Sequence, residues 1–280
     1  TTAQEMQIRD VVALMSFNET SLQENSYRKQ INSLFAAVNL GWKNLLYLDA
    51  TVRGDKSSTL PSGNNTYVYP SVSGSFVFSE LIKNGYVLPY GKVRVSYAQV
   101  GSDTDPYQLG LVYTKSKFTY PGYTIGYIDN TTIPNKNLKP TRTNSFEVGF
   151  ETKFLNNRIG LDFTYYNQIS KDQIMGMASS WATGYPYRLI NAGEIQNQGI
   201  EIALNTRPLV IGDFSWDLGV NFSKNNNRVR KLVDDMDMFE LEKASWLDVQ
   251  VAAKVGENFG SIVGPDFQRN DNGDILIDPS

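Results

Sequence analysis

Neither cysteine nor histidine occurs anywhere in the 280 residues. Without Cys there is no disulfide and no thiolate metal ligand, and without His the Cys-His and Ser-His-Asp nucleophile systems and the commonest zinc sites are excluded as well. Most familiar hydrolase chemistry is therefore absent. A chain free of thiols suits an oxidising compartment such as the periplasm or the outer surface. No run of 18 or more apolar residues is present, so no transmembrane helix is expected, and the mean hydropathy is low at -0.34. That leaves a transmembrane barrel open, because its strands bury only alternate residues in lipid. Net charge is -3, from 26 Lys and Arg against 29 Asp and Glu. No Lys/Arg cluster stands out, which argues against nucleic acid as a partner. No strand, Gly-rich turn, Lys-Ser/Thr and helix follow in series, so no nucleotide cofactor is expected. There is also no starting Met or signal peptide before Thr1, and the chain stops in what reads as a loop, "GDILIDPS". Residues 1–280 thus read as one segment of a longer protein.

What is present is β structure. Tyr, Phe, Val, Ile and Thr runs are broken by Asn, Gly, Asp and Pro clusters. Eight strands are expected, at roughly 32–40, 45–55, 68–79, 90–101, 143–154, 158–171, 194–206 and 213–225. Only the first 30 residues and "VRKLVDDMDMFELEKASWLDVQ" are locally ambiguous. In "NRIGLDFTYYNQISKDQI", Ile159, Leu161, Phe163 and Tyr165 alternate with Gly160, Asp162, Thr164 and Tyr166. The other strands alternate likewise. Their polar face carries Asp49, Arg53, Arg94, Glu147, Glu151, Asp162, Glu201 and Asp217, which need water or mutual pairing.

A soluble β-sandwich, such as a surface glycan-binding or adhesin module, and a membrane barrel both place oil on one side and water on the other. Connection lengths separate them. Short links ("GWKN", "ELIKNGYVLP", "LNN", "TRPLVIG") alternate with links of about 12, 41, 22 and more than 50 residues. An up-and-down outer-membrane barrel has that rhythm, with short periplasmic turns and long outward loops. Strands of about 10 to 13 residues also fit a tilted crossing better than the ~5 to 6 of soluble strands. Trp42, Phe154, Tyr165, Tyr166, Phe214 and Trp216 near strand ends suit the headgroup level.

Candidate sites are few. "RNDNGDILID" fails as an EF-hand loop: with Gly273 at the sixth position, Gln268 and Pro279 fall at the first and twelfth, so a hairpin turn at Asn272-Gly273 is expected. The acidic run "DDMDMFELE" reads as a solvated loop, so no metal site is assigned. Glu147 with Glu151 or Asp162 could mimic glycosidase acids, but alternation on the polar face accounts for them, and no catalytic residue is assigned. The outward loop "SSWATGYPYRLINAGE" supplies the candidate substrate contacts Trp181, Tyr185, Tyr187 and Arg188: rings to stack on sugar or peptide faces, and a guanidinium to pair with carboxylates.

Ordered motifs run through the middle of the chain. Asn137-Leu138-Lys139-Pro140 leads in; Glu147-Val148-Gly149, Asn157-Arg158 and Asp162 through Asn167 follow; then come Asn191-Ala192-Gly193, Gly199 and Glu201. In order and spacing these resemble the SusC/RagA type of TonB-linked outer-membrane transporter, and the likeness covers the chain from about residue 32. Thr141 stands where the family commonly has Glu, and "VGENFGSIVGPDF" lacks the usual aromatics of a family loop. The resemblance implies an all-β, antiparallel up-and-down transmembrane β-barrel of about 22 strands. This chain would contribute about eight of them, with the plug and TonB box before Thr1 and the closing strands after Ser280. It further implies a non-enzymatic importer of oligosaccharides or peptides in a Gram-negative outer membrane. Its partners would be a SusD-like lipoprotein, TonB through a region outside this chain, the ligand and outer-membrane lipid.

Overall fold

In a computed structural model of the chain, residues 2–6, 17–21, 26–82, 87–115, 123, 125–128, 131–233, 236–244 and 248–276 are described. Strands β1 (Thr2–Met6) and β2 (Phe17–Ser21) pair with each other. Then follow β3 (Ile31–Trp42), β4 (Leu46–Ser57), β5 (Thr66–Phe76) and β6 (Tyr90–Ser102). After the short strands β7 (Tyr113–Lys115), β8 (Gly126–Ile128) and β9 (Thr132–Ile133) come β10 (Thr141–Phe154), β11 (Ile159–Ala178), β12 (Tyr187–Ile211) and β13 (Phe214–Lys231). The last described strands, β14 (Met238–Lys243), β15 (Gln250–Lys254) and β16 (Phe259–Val263), form a small sheet of their own.

The main sheet runs β13-β12-β11-β10-β6-β5-β4-β3, an antiparallel meander in chain order, with β9 added in parallel beside the start of β12. All eight expected strands are present. Register explains why the sheet is two-sided. One row of paired residues crosses all eight strands as Trp42, Leu46, Phe76, Val93, Phe150, Phe163, Ile202 and Phe222, apolar at every position. The neighbouring row reads Gly41, Tyr47, Ser75, Arg94, Gly149, Thr164, Glu201 and Ser223. A one-residue slip would exchange these faces, so the pattern fixes the register.

The apolar face has no covering layer over that row among the described residues: Trp42, Leu46 and Phe222 are 53%, 45% and 51% exposed. In water so large a patch would drive association, whereas hydrocarbon solvates it without cost. This is the outward face of a barrel segment. Its polar partner faces the lumen.

The short turns all lie at one end. Lys43 and Asn44 adopt positive φ (52° and 54°), as do Asn156, Asn157 and Gly212. Asn and Gly tolerate that region best, which lets two or three residues reverse the chain. At the other end the expected loops are shorter than their sequence suggests. The link between β11 and β12 is a hairpin tip of residues 179–186, because both strands continue well past the apolar band. Likewise "TRPLVIG" is not a turn; β12 runs to Ile211. The alternation of apolar and polar residues fades there while backbone pairing continues, so pattern alone stops the strands early.

Beyond the band the extensions carry small cores. Met177, Val229, Leu232, Phe239 and Ala253 pack together, which joins the β14–β16 sheet to the long strands. Leu60, Tyr67, Leu138 and Leu189 form a second cluster. The acidic run that reads as a solvated loop thus includes a strand whose Phe239 is buried. Asp234 and Asp235 of that run lie outside the described residues.

Candidate functional site

Two regions have the chemistry of a site: the lumenal wall and the far end of the long hairpin. On the wall, charges are paired across strands. Arg94 Nη2 donates to Asp162 Oδ1 at 2.9 Å and to Thr164 Oγ1 at 2.6 Å, and Nη1 reaches Asp162 Oδ2 at 3.2 Å. Arg94 stands on β6 and Asp162 on β11, so the side chain passes over β10, where its register partner is Gly149. A Cβ on Gly149 would lie 2.3 Å from Arg94 Nε. Glycine leaves that space free for the guanidinium, which a side chain at 149 would displace.

The same device recurs one strand along. Tyr166 on β11 passes over Gly199 on β12 and donates its hydroxyl to Asn225 Oδ1 on β13 at 3.1 Å. Tyr166 is therefore a lumenal residue and not one of the headgroup-level aromatics. Lys92 pairs with Glu151 at 3.1 Å. On the first strands, Asp49 accepts from Asn39 and Ser73, and Asp55 accepts from Arg53 at 2.9 Å and from Tyr69. Glu151 and Asp162, read in sequence as possible acid pairs, are each held by a cation from β6.

Open hollows lie between these groups. One of about 720 Å³ at the short-turn end is lined by Glu151, Lys153, Asp162, Asn205, Arg207 and Asp217 among others. Another of about 370 Å³ is bordered by Glu147, Thr164, Tyr166, Gln168, Asn197, Glu201 and Asn225. Among the described residues no group of three or more acidic side chains is placed to hold a metal ion. "RNDNGD" makes the expected turn: Gly273 has φ 89°, and Asn270 Oδ1 accepts the Asn272 and Asp274 amides.

The outward end is organised by the sequence motifs. The Asn191 carboxamide accepts the Lys139 amide at 2.8 Å and donates to the Lys139 carbonyl at 2.7 Å and the Asp172 carbonyl at 2.9 Å. Two motifs 52 residues apart are thereby clamped, with Leu138 fully buried beside them. At the rim, Asp103 accepts from Lys29 at 2.6 Å, from Thr59 at 3.0 Å and from Ser57. Burial pushes the Asp103 carboxyl up, but these hydrogen bonds and the Lys29 charge outweigh it and hold it below the usual carboxylate value.

Of the four candidate contact residues, Trp181 and Tyr185 lie in the hairpin tip and Tyr187 and Arg188 in the first residues of β12. Trp181 opens a three-residue helical turn capped by Ser180 and ended by Gly184 in the left-handed region, and its ring is 79% exposed. Tyr185 is half-buried, Tyr187 starts β12 beside Thr132 of β9, and Arg188 lies against Met177 Sδ at 3.8 Å. Sequence reading missed the cross-strand struts. Their signal is a glycine inside the polar row of an otherwise regular strand.

Residues 6–247 match the family model described as "TonB dependent receptor-like, beta-barrel". Among curated proteins, the chain is 25% identical over 256 residues to "TonB-dependent receptor P3" of Formosa agariphila, covering 89% of this chain and 26% of that protein. It is 28% identical over 222 residues to "TonB-dependent receptor SusC" of Bacteroides thetaiotaomicron, covering 76% and 22%. The chain thus spans about a quarter of these relatives' length. Among solved structures, the RagAB peptide importer in the "closed-closed" state superposes with a TM-score of 0.80 at 20% identity, over 96% of this chain and 31% of that one. These likenesses share one fold, a barrel wall.

Proposed function

The chain belongs to the TonB-dependent receptor-like β-barrel family of Gram-negative outer-membrane proteins, and on that premise we propose that it is part of the barrel wall of an importer of oligosaccharides or peptides. The carrying observation is the main two-sided sheet, with an unbroken apolar row outward and a polar face inward on which Lys92 and Arg94 pair across strands with Glu151 and Asp162. Such a wall keeps a hydrated route inside a lipid-solvated shell. The relatives' names point the same way: SusC is a TonB-dependent receptor and RagAB a peptide importer.

In this reading TonB acts through a region outside the chain, and a SusD-like lipoprotein meets the extended hairpins above the membrane. Trp181 and Tyr187 offer exposed ring faces to a sugar or peptide, Tyr185 supports them, and Arg188 supplies a cation for a carboxylate. No step of this requires a reaction or a cofactor. The test is uptake of fluorescent oligosaccharides and oligopeptides by cells carrying the full-length protein, with and without the proton gradient. Energy-dependent uptake of one class, reduced several-fold by Trp181→Ala together with Arg188→Gln, is expected. A full-length protein that fractionates as soluble and shows no heat-modifiable migration in detergent gels would sink the reading.

A further inference from the structure

From the edge of the apolar band outward, the outward face turns positive. Register places Lys224 level with Ile200 and Tyr165, Arg228 level with Gln196 and Ile169, and Arg142 directly opposite Lys171. All four cations are exposed, and register puts them on the face that carries the lipid-facing row below. Arg142 lies four residues beyond Phe146, and Lys171 six beyond Tyr165, where unbroken apolar alternation ends, and two beyond the isolated Ile169. At ~3.3 Å per residue on a tilted strand, that is the depth of the headgroups and not of the acyl chains.

Like charges directly opposite on an antiparallel pair repel. Glu194 answers only part of this charge: it pairs with Lys171 at 3.1 Å and with Arg230 at 3.7 Å. Arg228 Nε donates to the Gly256 carbonyl, and Arg142 has no ion pair among the described residues. Among the described residues no other carboxylate forms an ion pair with these cations; Glu257, near Arg228, pairs with Lys254.

We propose that this stair of cations is a binding surface for the phosphorylated headgroup of an outer-leaflet lipid, with Arg142 and Lys171 as its centre. Two features select that occupant. The face is continuous with the lipid-covered band, so a lipid whose chains lie against Phe146 and Tyr165 holds its headgroup beside the cations. The excess positive charge is complementary to phosphate, and Arg presents a fork that takes two phosphate oxygens at once. Each cation at a membrane surface strengthens attraction to anionic lipid.

The test uses the full-length protein, purified in neutral detergent and offered lipid A, its dephosphorylated form, phosphatidylethanolamine or inorganic phosphate, with bound lipid read by native mass spectrometry. Retention of phosphorylated lipid A, weakened about tenfold or more by Arg142→Gln with Lys171→Gln, is expected. Lys43→Gln at the opposite rim should leave it unchanged, and Arg142→Lys should lose less than the neutral pair. Heat-modifiable migration of each variant separates loss of binding from loss of fold. Were that double variant to misfold, Lys224→Gln with Arg228→Gln supplies the same comparison. Equal retention of the dephosphorylated lipid, an effect reproduced by inorganic phosphate alone, or a protein dimer that the double variant dissociates would each overturn the proposal.

Discussion

Arg94 on β6 grips Asp162 on β11 across an intervening strand, and it can do so because Gly149 leaves the backbone of β10 bare beneath its guanidinium. The pair ties together strands that are not hydrogen-bonded neighbours. Sheet hydrogen bonds link adjacent strands only, so such struts stiffen the wall against bending across its width.

Gly149→Val is therefore expected to break the strut. The new side chain meets Nε, Cζ and Cγ of Arg94, which must swing away from Asp162. Both partners are over one-third exposed, so the lost pair itself is worth about 1 kcal/mol or less, with about 1–3 kcal/mol more from crowding. In full-length protein, the temperature of the heat-modifiable transition should fall. Arg94→Ala should fall less, and the two substitutions together should be less than additive.

Gly199→Ala should cost more than Gly149→Ala, although both are small changes. At Gly199 the added Cβ would lie 2.4 Å from the Lys224 carbonyl oxygen as well as against the Tyr166 ring. A side chain can rotate aside, but a paired strand's backbone cannot. Tyr166→Phe isolates the hydrogen bond to Asn225, worth about 0.5–1.5 kcal/mol, and should be milder than Gly199→Ala. Equal effects at the two glycines would refute the distinction drawn between them.

Asn191→Ala should loosen the outward end without disturbing the lipid-embedded wall. It removes three hydrogen bonds to the backbone of Lys139 and Asp172, in a region where Leu138 depends on close packing. The expected loss is about 1–3 kcal/mol, felt locally. Intact cells treated with protease should show faster cleavage between residues 103 and 140 in the variant, with heat-modifiable migration preserved.

How much of this was legible in the sequence follows from where periodicity acts. Within the membrane band, alternation is enforced by lipid on one side and water on the other, so the strands around Leu48, Val95, Phe150, Phe163, Ile202 and Val220 are read correctly. Past the band both faces meet water or protein, and the pattern dissolves around Ile174 and Ile190 although the ladder continues to Ala178 and Tyr187. The same holds for β14, whose acidic residues hide the buried Phe239. The motif residues Asn137 to Pro140 and Asn191 to Gly193 were visible as words, but their mutual contact is a tertiary fact that no single stretch encodes. Likewise Trp181, Tyr187 and Arg188 read as one loop in the sequence, whereas Trp181 lies in the hairpin tip and Tyr187 and Arg188 in the first residues of β12.

Acid should release the rim where Asp103 collects Lys29, Ser57 and Thr59. The folded protein holds this carboxyl below its ordinary value of 3.8, the hydrogen bonds and the Lys29 charge outweighing burial. A depressed folded pKa means that the stabilisation is present above the unfolded value and is lost as pH falls through the folded one. The contact should therefore persist through neutral and mildly acidic solution and fail only below about pH 4. Asp103→Asn keeps an acceptor oxygen but loses the charge, so it should weaken the Lys29 attachment at every pH and remove its acid dependence. A fluorophore beside Lys29 on full-length protein, titrated from pH 7 to 3, should report a transition in the unsubstituted chain that is missing in Asp103→Asn. A transition centred near pH 6, or one retained in Asp103→Asn, would show that another group controls the rim.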